Sequence, residues 1–319
     1  MAPAPAGAGW APEGTATFIW ENDFFAGTDR NYSNGVKLAF FSKPIPLEGA
    51  VGFVAQNILV AKPEDTIHYG FALGHSIFTP EDRLATEPLP DQHPYAGFLY
   101  GEYSVLVNRS GRTEGTALDT VNVQIGLVGP AAGGEAVQNT FHRIIDDDEL
   151  LGWDNQLGNE IAFAISYERK FRARKLLNVA GLEVDVIPNV GASLGTLLTQ
   201  VSGGATFRIG TDLQDDYGPP RVRPSLAGSA FFDPADRFSW YLFAGGQQRA
   251  VGRNLFLDGN TFRDSLSVDR NVLVSEVQAG AVVQIQRVQF AYTFVARTQE
   301  FATQGEPQRF GAASISVKF

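Results

Sequence analysis

Apolar residues recur at every second position along much of this 319-residue chain, with polar residues between them. At the C-terminal end Gly311, Ala313, Ile315, Val317 and Phe319 form one face, and Ala312, Ser314, Ser316 and Lys318 the other. Upstream, Val288, Phe290, Tyr292, Phe294 and Ala296 oppose Gln289, Thr293 and Arg297. Over 273–286, Leu273, Val277, Ala279, Ala281, Val283 and Ile285 oppose Glu276, Gln278, Gln284 and Gln286. A period of two is the pattern of a strand whose faces meet different surroundings. No run of about 18 apolar residues exists, so no transmembrane helix is expected. A soluble sandwich alternates as well, and period alone leaves both architectures open. Gln, Glu, Arg and Lys in mid-strand favour the second architecture, a membrane barrel with a polar lumen.

The fold expected is therefore all-β, a single domain over 1–319: a transmembrane antiparallel β-barrel of about 12 strands. The strands fall near 15–24, 33–42, 66–78, 95–108, 117–128, 159–173, 181–191, 203–211, 238–249, 271–286, 288–301 and 309–319. An even count puts both termini in the periplasm. Outer loops are then expected at 25–32, 79–94, 129–158, 192–202, 250–270 and 302–308. Segments 43–65 and 212–237 are long for periplasmic turns, so either holds a short helix or the count is off by a hairpin. Charged residues make up 19% of the chain, below the soluble average of about 25%. The absence of cysteine fits passage through an oxidising periplasm without disulfides. A net charge of −10 disfavours nucleic acid as a partner. Residues 1–14 lack a basic start and an apolar core, and read as a mature N-terminus rather than a signal peptide.

One segment breaks the β pattern. Residues 129–156 carry helical periodicity, His142, several amides and the acidic run Asp146, Asp147, Asp148, Glu149. On the expected topology this short helical insert lies in an extracellular loop. Two further polar clusters reach the same rim: Glu21-Asn22-Asp23 with the 28–35 frame behind it, and Asp91 to Gly97. Histidine supplies a proton acceptor near neutrality, and carboxylates supply hard oxygen ligands for a cation such as calcium. Bland readings stand beside these. Asn22 and Asp23 favour turns, Ser33-Asn34-Gly35 suits a tight turn, and the acidic run suits a solvated loop. His68 and His75 read as structural, and Trp153 as part of an interfacial aromatic girdle.

Several motifs in order resemble one family: Glu21-Asn22-Asp23-Phe24-Phe25, Thr28-Asp29-Arg30-x-Tyr32-x-Asn34-Gly35, Pro94-Tyr95-Ala96-Gly97, the 129–142 frame ending in Gln138-Asn139-x-x-His142, and Gly152-Trp153-Asp154-Asn155-Gln156. Together they look like the outer-membrane lipid A 3′-O-deacylase (LpxR) family, and Phe319 closing an apolar face resembles the terminal signal of outer-membrane barrels. The resemblance implies a twelve-stranded barrel in the bacterial outer membrane, its active site toward the outer leaflet. Such an enzyme removes the 3′-linked acyloxyacyl group of lipid A in lipopolysaccharide, with calcium as cofactor and a histidine base activating water. The implied catalytic residues are His142, Asn22, Asp23, Ser33 and Asp148. Asp23, Asp148 and Glu149 are the implied metal ligands. Asp148 departs from the family's glutamate, so either it or Glu149 is expected to partner His142, and His93 stands where many relatives have arginine. Arg30, Arg83 and Arg143 are candidates for the phosphates of lipid A. Membrane lipids are the other expected partners, and a monomer the expected state. Two alternatives stay open: a non-catalytic barrel or channel, and a phospholipase with Ser33 as nucleophile, against which Tyr32 stands where such enzymes place a histidine.

Overall fold

The computed structural model describes residues 14–27, 30–109, 116–172, 177–213, 216–218, 232 and 238–319. Twelve long strands close on themselves. They are β1 (Thr15–Asn22), β2 (Asn31–Phe41), β3 (Thr66–Thr79), β4 (Ala96–Asn108), β5 (Thr116–Val128), β6 (Glu160–Arg172), β8 (Leu182–Gly195), β9 (Leu198–Gly210), β10 (Phe238–Asn254), β11 (Leu273–Ile285), β12 (Val288–Arg297) and β13 (Gln308–Lys318). A three-residue β7 (Leu177–Val179) only lengthens the hairpin at the foot of β8. Neighbours in sequence pair antiparallel, β1 pairs β13, and β6 pairs β8 from Ala164↔Gly195 to Lys170↔Asn189. The ring of pairings is closed, the condition for strands to cross a bilayer, with β6 and β8 joined over part of their length. No helix among the described residues is long and apolar enough to do so.

The alternation sorts the two faces. Phe18, Leu38, Phe71, Leu73, Ile125, Phe163, Leu242, Phe290 and Ile315 are exposed on the outside. Thr17, Lys37, Glu102, Asn122, Ser314, Ser316 and Lys318 are buried on the inside. Buried charge there is paired, as it must be: Lys37 Nζ lies 2.9 Å from both oxygens of Glu102. The lumen is also bridged at each end. Below, Asp216 accepts from Arg208 on β9, from Tyr241 on β10 and from Gln289 on β12. Tyr217 beside it donates to Asn108 on β4 at 3.0 Å, across the lumen. Above, the short helix Leu255–Asp258, here α3 because it is third in the chain, puts Phe256 against Phe78 on β3, ring centroids 4.0 Å apart. His93 stacks on Phe78 at 5.3 Å. Burial pushes the His93 imidazole down in pKa, against the Pro94 carbonyl and nearby Glu300, so it stays a neutral packing element.

Two helices lie on the outside of the barrel. The first, α1 (Gly49–Asn57), fills part of the long 43–65 segment and packs Ala55, with Leu59 just after it, on Ile67, Val105 and Val107. The twelve-strand count therefore stands with the helix expected of such a segment. Most of the 212–237 segment lies outside the described residues. Residues 192–202, expected as a loop, are a tight connection at 196–197, because β8 and β9 continue into each other. β10 likewise runs on to Asn254.

Arg208 is fully buried and holds Asp185 as well as Asp216. Arg208→Met leaves two buried carboxylates without their cation, a loss of roughly 3–5 kcal/mol. The expected result is a fall in the temperature at which the folded band converts to the unfolded band on an unboiled gel, with little change for Arg143→Met at the surface.

Candidate active site

The second external helix, α2 (Gly134–Ile145), is the insert between β5 and β6. Pro130 opens the turn before it and Gly133, at φ 73°, turns the chain into it. The helix doubles back over the outward face of the wall. His75 on β3 meets the Ala132 carbonyl at 2.9 Å. Gly97 on β4 and Gly134 approach so closely that a Cβ on Gly97 would lie 2.9 Å from the Gly134 backbone. Beyond them Phe141 stands edge-on to Trp20 of β1, centroids 6.2 Å apart. The helix buries Gly134, Gln138, Asn139 and His142, a stripe at three- and four-residue spacing, and exposes Val137, Ile144 and Ile145.

His142 is 2% exposed. Its Nδ1 lies 2.6 Å from the Asp148 main-chain oxygen, which fixes the proton on Nδ1, and Nε2 faces the Gln138 amide at 3.0 Å. The turn that delivers this carbonyl starts at Asp146, left-handed at φ 59°, a conformation aspartate tolerates. The carboxylate nearest the imidazole is Asp147, 3.7 Å from Nδ1. Burial pushes Asp147 up in pKa, but the Arg83 hydrogen bond at 3.0 Å, the Asp148 amide and the Arg83 and His142 charges outweigh it and hold it below its usual range.

Against the same wall, Trp20 donates its indole N–H to Asn34 Oδ1 at 3.1 Å. Asn34 is the cross-strand partner of Asn22, whose Nδ2 approaches it at 3.5 Å. Asn22 also caps the 3₁₀ turn Asp23–Ala26, accepting from the Phe24 amide at 2.7 Å. Asp23 is 1% exposed and accepts from the Arg30 amide at 2.6 Å. Ser33 sits at a β-bulge, between the pairs Tyr32↔Phe78 and Asn34↔Ile77, and its hydroxyl lies 2.5 Å from Thr79 Oγ1. Bulges re-aim a side chain, and here one does so at the rim.

The family described as Outer membrane protein LpxR matches residues 1–319. The chain belongs to this family of outer-membrane proteins. Among solved structures, LpxR from Salmonella typhimurium superposes with a TM-score of 0.76 at 22% identity, over 96% of this chain and 100% of that one. Its fold is the one described above. The β domain of the Bordetella autotransporter BrkA follows at a TM-score of 0.47 and 12% identity, over 97% and 100% of the two chains. No curated protein matches in sequence.

Within this outer-membrane protein the sequence-derived residues divide. Asn22, Asp23 and Ser33 cluster at the outer ends of β1 and β2, and α2 carries His142 to the same stretch of wall. Asp148 meets His142 through its main chain, while its side chain is exposed. Glu149 is paired with Arg143 at 2.9 Å and exposed. Among the described residues no three His, Asp or Glu side chains converge as a metal cluster, so Asp23, Asp148 and Glu149 do not form a three-carboxylate site. The three candidate arginines are all paired: Arg30 with Glu81 and Glu306, Arg83 with Asp147, Arg143 with Glu149. Trp153 is no girdle residue. It is 2% exposed, packs on Tyr95 at 4.9 Å and lies against Gly134, a wedge under α2. Gln138 and Asp147 stand out in the sequence only as members of the 129–142 frame and of the acidic run, with no individual role at His142. Gln138 is legible in hindsight as the residue four before His142, on its helical face.

Gly97→Val should lift α2 while leaving the closed wall intact. The expected outcome is a barrel still heat-modifiable on gels, with faster tryptic cleavage at exposed Arg143. The depressed Asp147 carboxyl steadies the Arg83 clamp above its unfolded pKa, and that contribution is lost as pH falls through the lower folded value. The protection factors of the α2 amides, exchange rates corrected for their intrinsic pH dependence, should therefore be flat from pH 5 to 8 and fall below about pH 4.

Proposed function

We propose that this protein is a lipid A 3′-O-deacylase, hydrolysing the ester of the 3′-linked acyloxyacyl chain from within the outer leaflet. The single observation that carries the reading is a histidine buried on the lipid-facing wall with its Nδ1 proton committed to a main-chain carbonyl. The lone pair on Nε2 is then the base. It accepts from the Gln138 amide at 3.0 Å, a bond that the attacking water has to take over. His142 takes a proton from that water as oxygen attacks the ester carbonyl, then returns it to the departing 3′-oxygen of the sugar. The tetrahedral oxyanion needs donors held in place beforehand. Gln138 and Asn22 supply amide N–H groups from the helix and the wall.

Of the expected calcium ligands only Asp23 is buried here, and it accepts from the Arg30 amide, so an ion held by it would draw its other ligands from main-chain oxygens and water. When bound there it would supply positive charge beside the oxyanion. Asp148 and Glu149 would not be its ligands, because their side chains point to solvent or to Arg143. The phospholipase alternative is weakened by Ser33, whose hydrogen-bond partner is Thr79 and not a histidine. The channel alternative is weakened by the bridges across both ends of the lumen.

Purified protein incubated with lipid A should release the 3′-acyloxyacyl group, read by mass spectrometry. His142→Ala should cut the rate by about 1,000-fold or more, with the barrel still heat-modifiable. Chelation should stop turnover and added calcium restore it, and Asp23→Asn should raise the calcium required. Full turnover by His142→Ala would sink the assignment of the base, and labelling of Ser33 by an organophosphonate would favour the serine mechanism.

A further inference from the structure

Farther round the barrel, between β6 and β8, the fourth and fifth staves from β2, the outer rim carries a notch. β6 runs up to Glu160, but its pairing with β8 stops at Ala164↔Gly195. Above that level the two strands are held by single contacts, the Leu197 amide to the Phe163 carbonyl at 3.0 Å and the Phe163 amide to Thr196 Oγ1 at 3.2 Å. The gap forms a groove of about 400 Å³ whose apolar wall is Phe163 and Ile165 from β6 and Leu194 from β8. All three point outward, and Leu194 is 71% exposed.

Arg253, from the end of β10, closes the upper end of the groove. Its guanidinium is anchored on three neutral oxygens: the Thr196 carbonyl at 2.8 Å, the Gly259 carbonyl at 3.2 Å and Thr261 Oγ1 at 2.9 Å. No carboxylate lies within ion-pair distance of it among the described residues. Arg30, Arg83 and Arg143 all differ in this respect. A half-buried cation, fixed in direction and lacking a counter-ion, is arranged for an anion from outside. An apolar groove beneath it, on a wall that faces hydrocarbon, is arranged for an acyl chain.

We propose that this notch binds one lipid A molecule at a site separate from the hydrolytic one, an acyl chain lying on Phe163, Ile165 and Leu194 and a phosphate on Arg253. Charge and position select this occupant: the site needs an anionic headgroup at the rim that carries α2. The proposal takes from the proposed function only that this rim faces the outer leaflet. It does not need His142 to be the base.

The test uses the full chain with His142→Ala, so that bound lipid is not turned over. Native mass spectrometry from delipidated micelles would compare lipid A, dephosphorylated lipid A and phosphatidylglycerol. One lipid A should be retained, dephosphorylated lipid A about tenfold or more weaker, and phosphatidylglycerol weaker than lipid A. Arg253→Gln should lose the preference for phosphate, and Leu194→Trp, which fills the groove, should lose retention while Arg253 stays. On a His142 background both variants should deacylate detergent-dispersed lipid A at the parent rate. Equal retention by Arg253→Gln, equal retention of the dephosphorylated lipid, or tighter retention of phosphatidylglycerol would each overturn the proposal. Failure of the deacylase reading would show as no turnover by the parent protein, with these retention results unaffected.

Discussion

A strand in hydrocarbon has no water to bond, so each of its backbone N–H and C=O groups must find another strand. The pairing of β6 with β8 meets that demand for the last open edge. Much else follows from closure. Twelve staves enclose an interior too polar to be left empty and unpaired, so Lys37 meets Glu102, Arg208 meets Asp185 and Asp216, and Arg297 meets Glu276 and Glu300. Tyr217 reaching Asn108 below and Phe256 seated on Phe78 above bridge the lumen at these two levels.

The outside surface sets its own rule for α2. A helix on a soluble protein turns its apolar stripe inward. This one turns Gln138, Asn139 and His142 to the wall, and its exposed residues mix Val137 and Ile144 with Thr140 and Arg143. The polar stripe lets a titratable group be buried on the outer wall. Without a hydrophobic force pressing helix to wall, close approach depends on small residues. Gly97 and Gly134 provide it, with His75 pinning the turn before the helix.

The staves were legible because period two survives in nearly every one, and most observed ends fall within a few residues of the expected ones. The exception is instructive. Residues 192–202 contain Ser, Thr and Gly and read as loop, yet β8 and β9 pair through Ser193↔Gln200. A barrel strand is held by backbone bonds that do not depend on side-chain character. The site was legible only as motifs. Which acid approaches His142 is decided by the left-handed turn at Asp146, which swings the Asp148 carbonyl inward and leaves Asp147 as the nearest carboxylate. Nothing in the run Asp-Asp-Asp-Glu marks one member over another. Trp153 misled for a related reason: an aromatic near a rim reads as girdle until a glycine across from it makes room for burial.

The pairing of the rim arginines bears on how a substrate is met. Arg30 is held between Glu81 and Glu306, and Arg83 holds the turn that fixes His142. A phosphate arriving at either has to displace a carboxylate, and exposed pairs of this kind are worth only about 0–1 kcal/mol each. Exchange at Arg30 is therefore cheap and local. Exchange at Arg83 is not local, because Asp147 would be released beside the imidazole and the Asp148 carbonyl loses the anchor next to it. On the proposed function, substrate binding and the setting of the base would then share one residue. The geometry at His142 favours ligands that engage Arg30 and leave the Arg83–Asp147 pair in place.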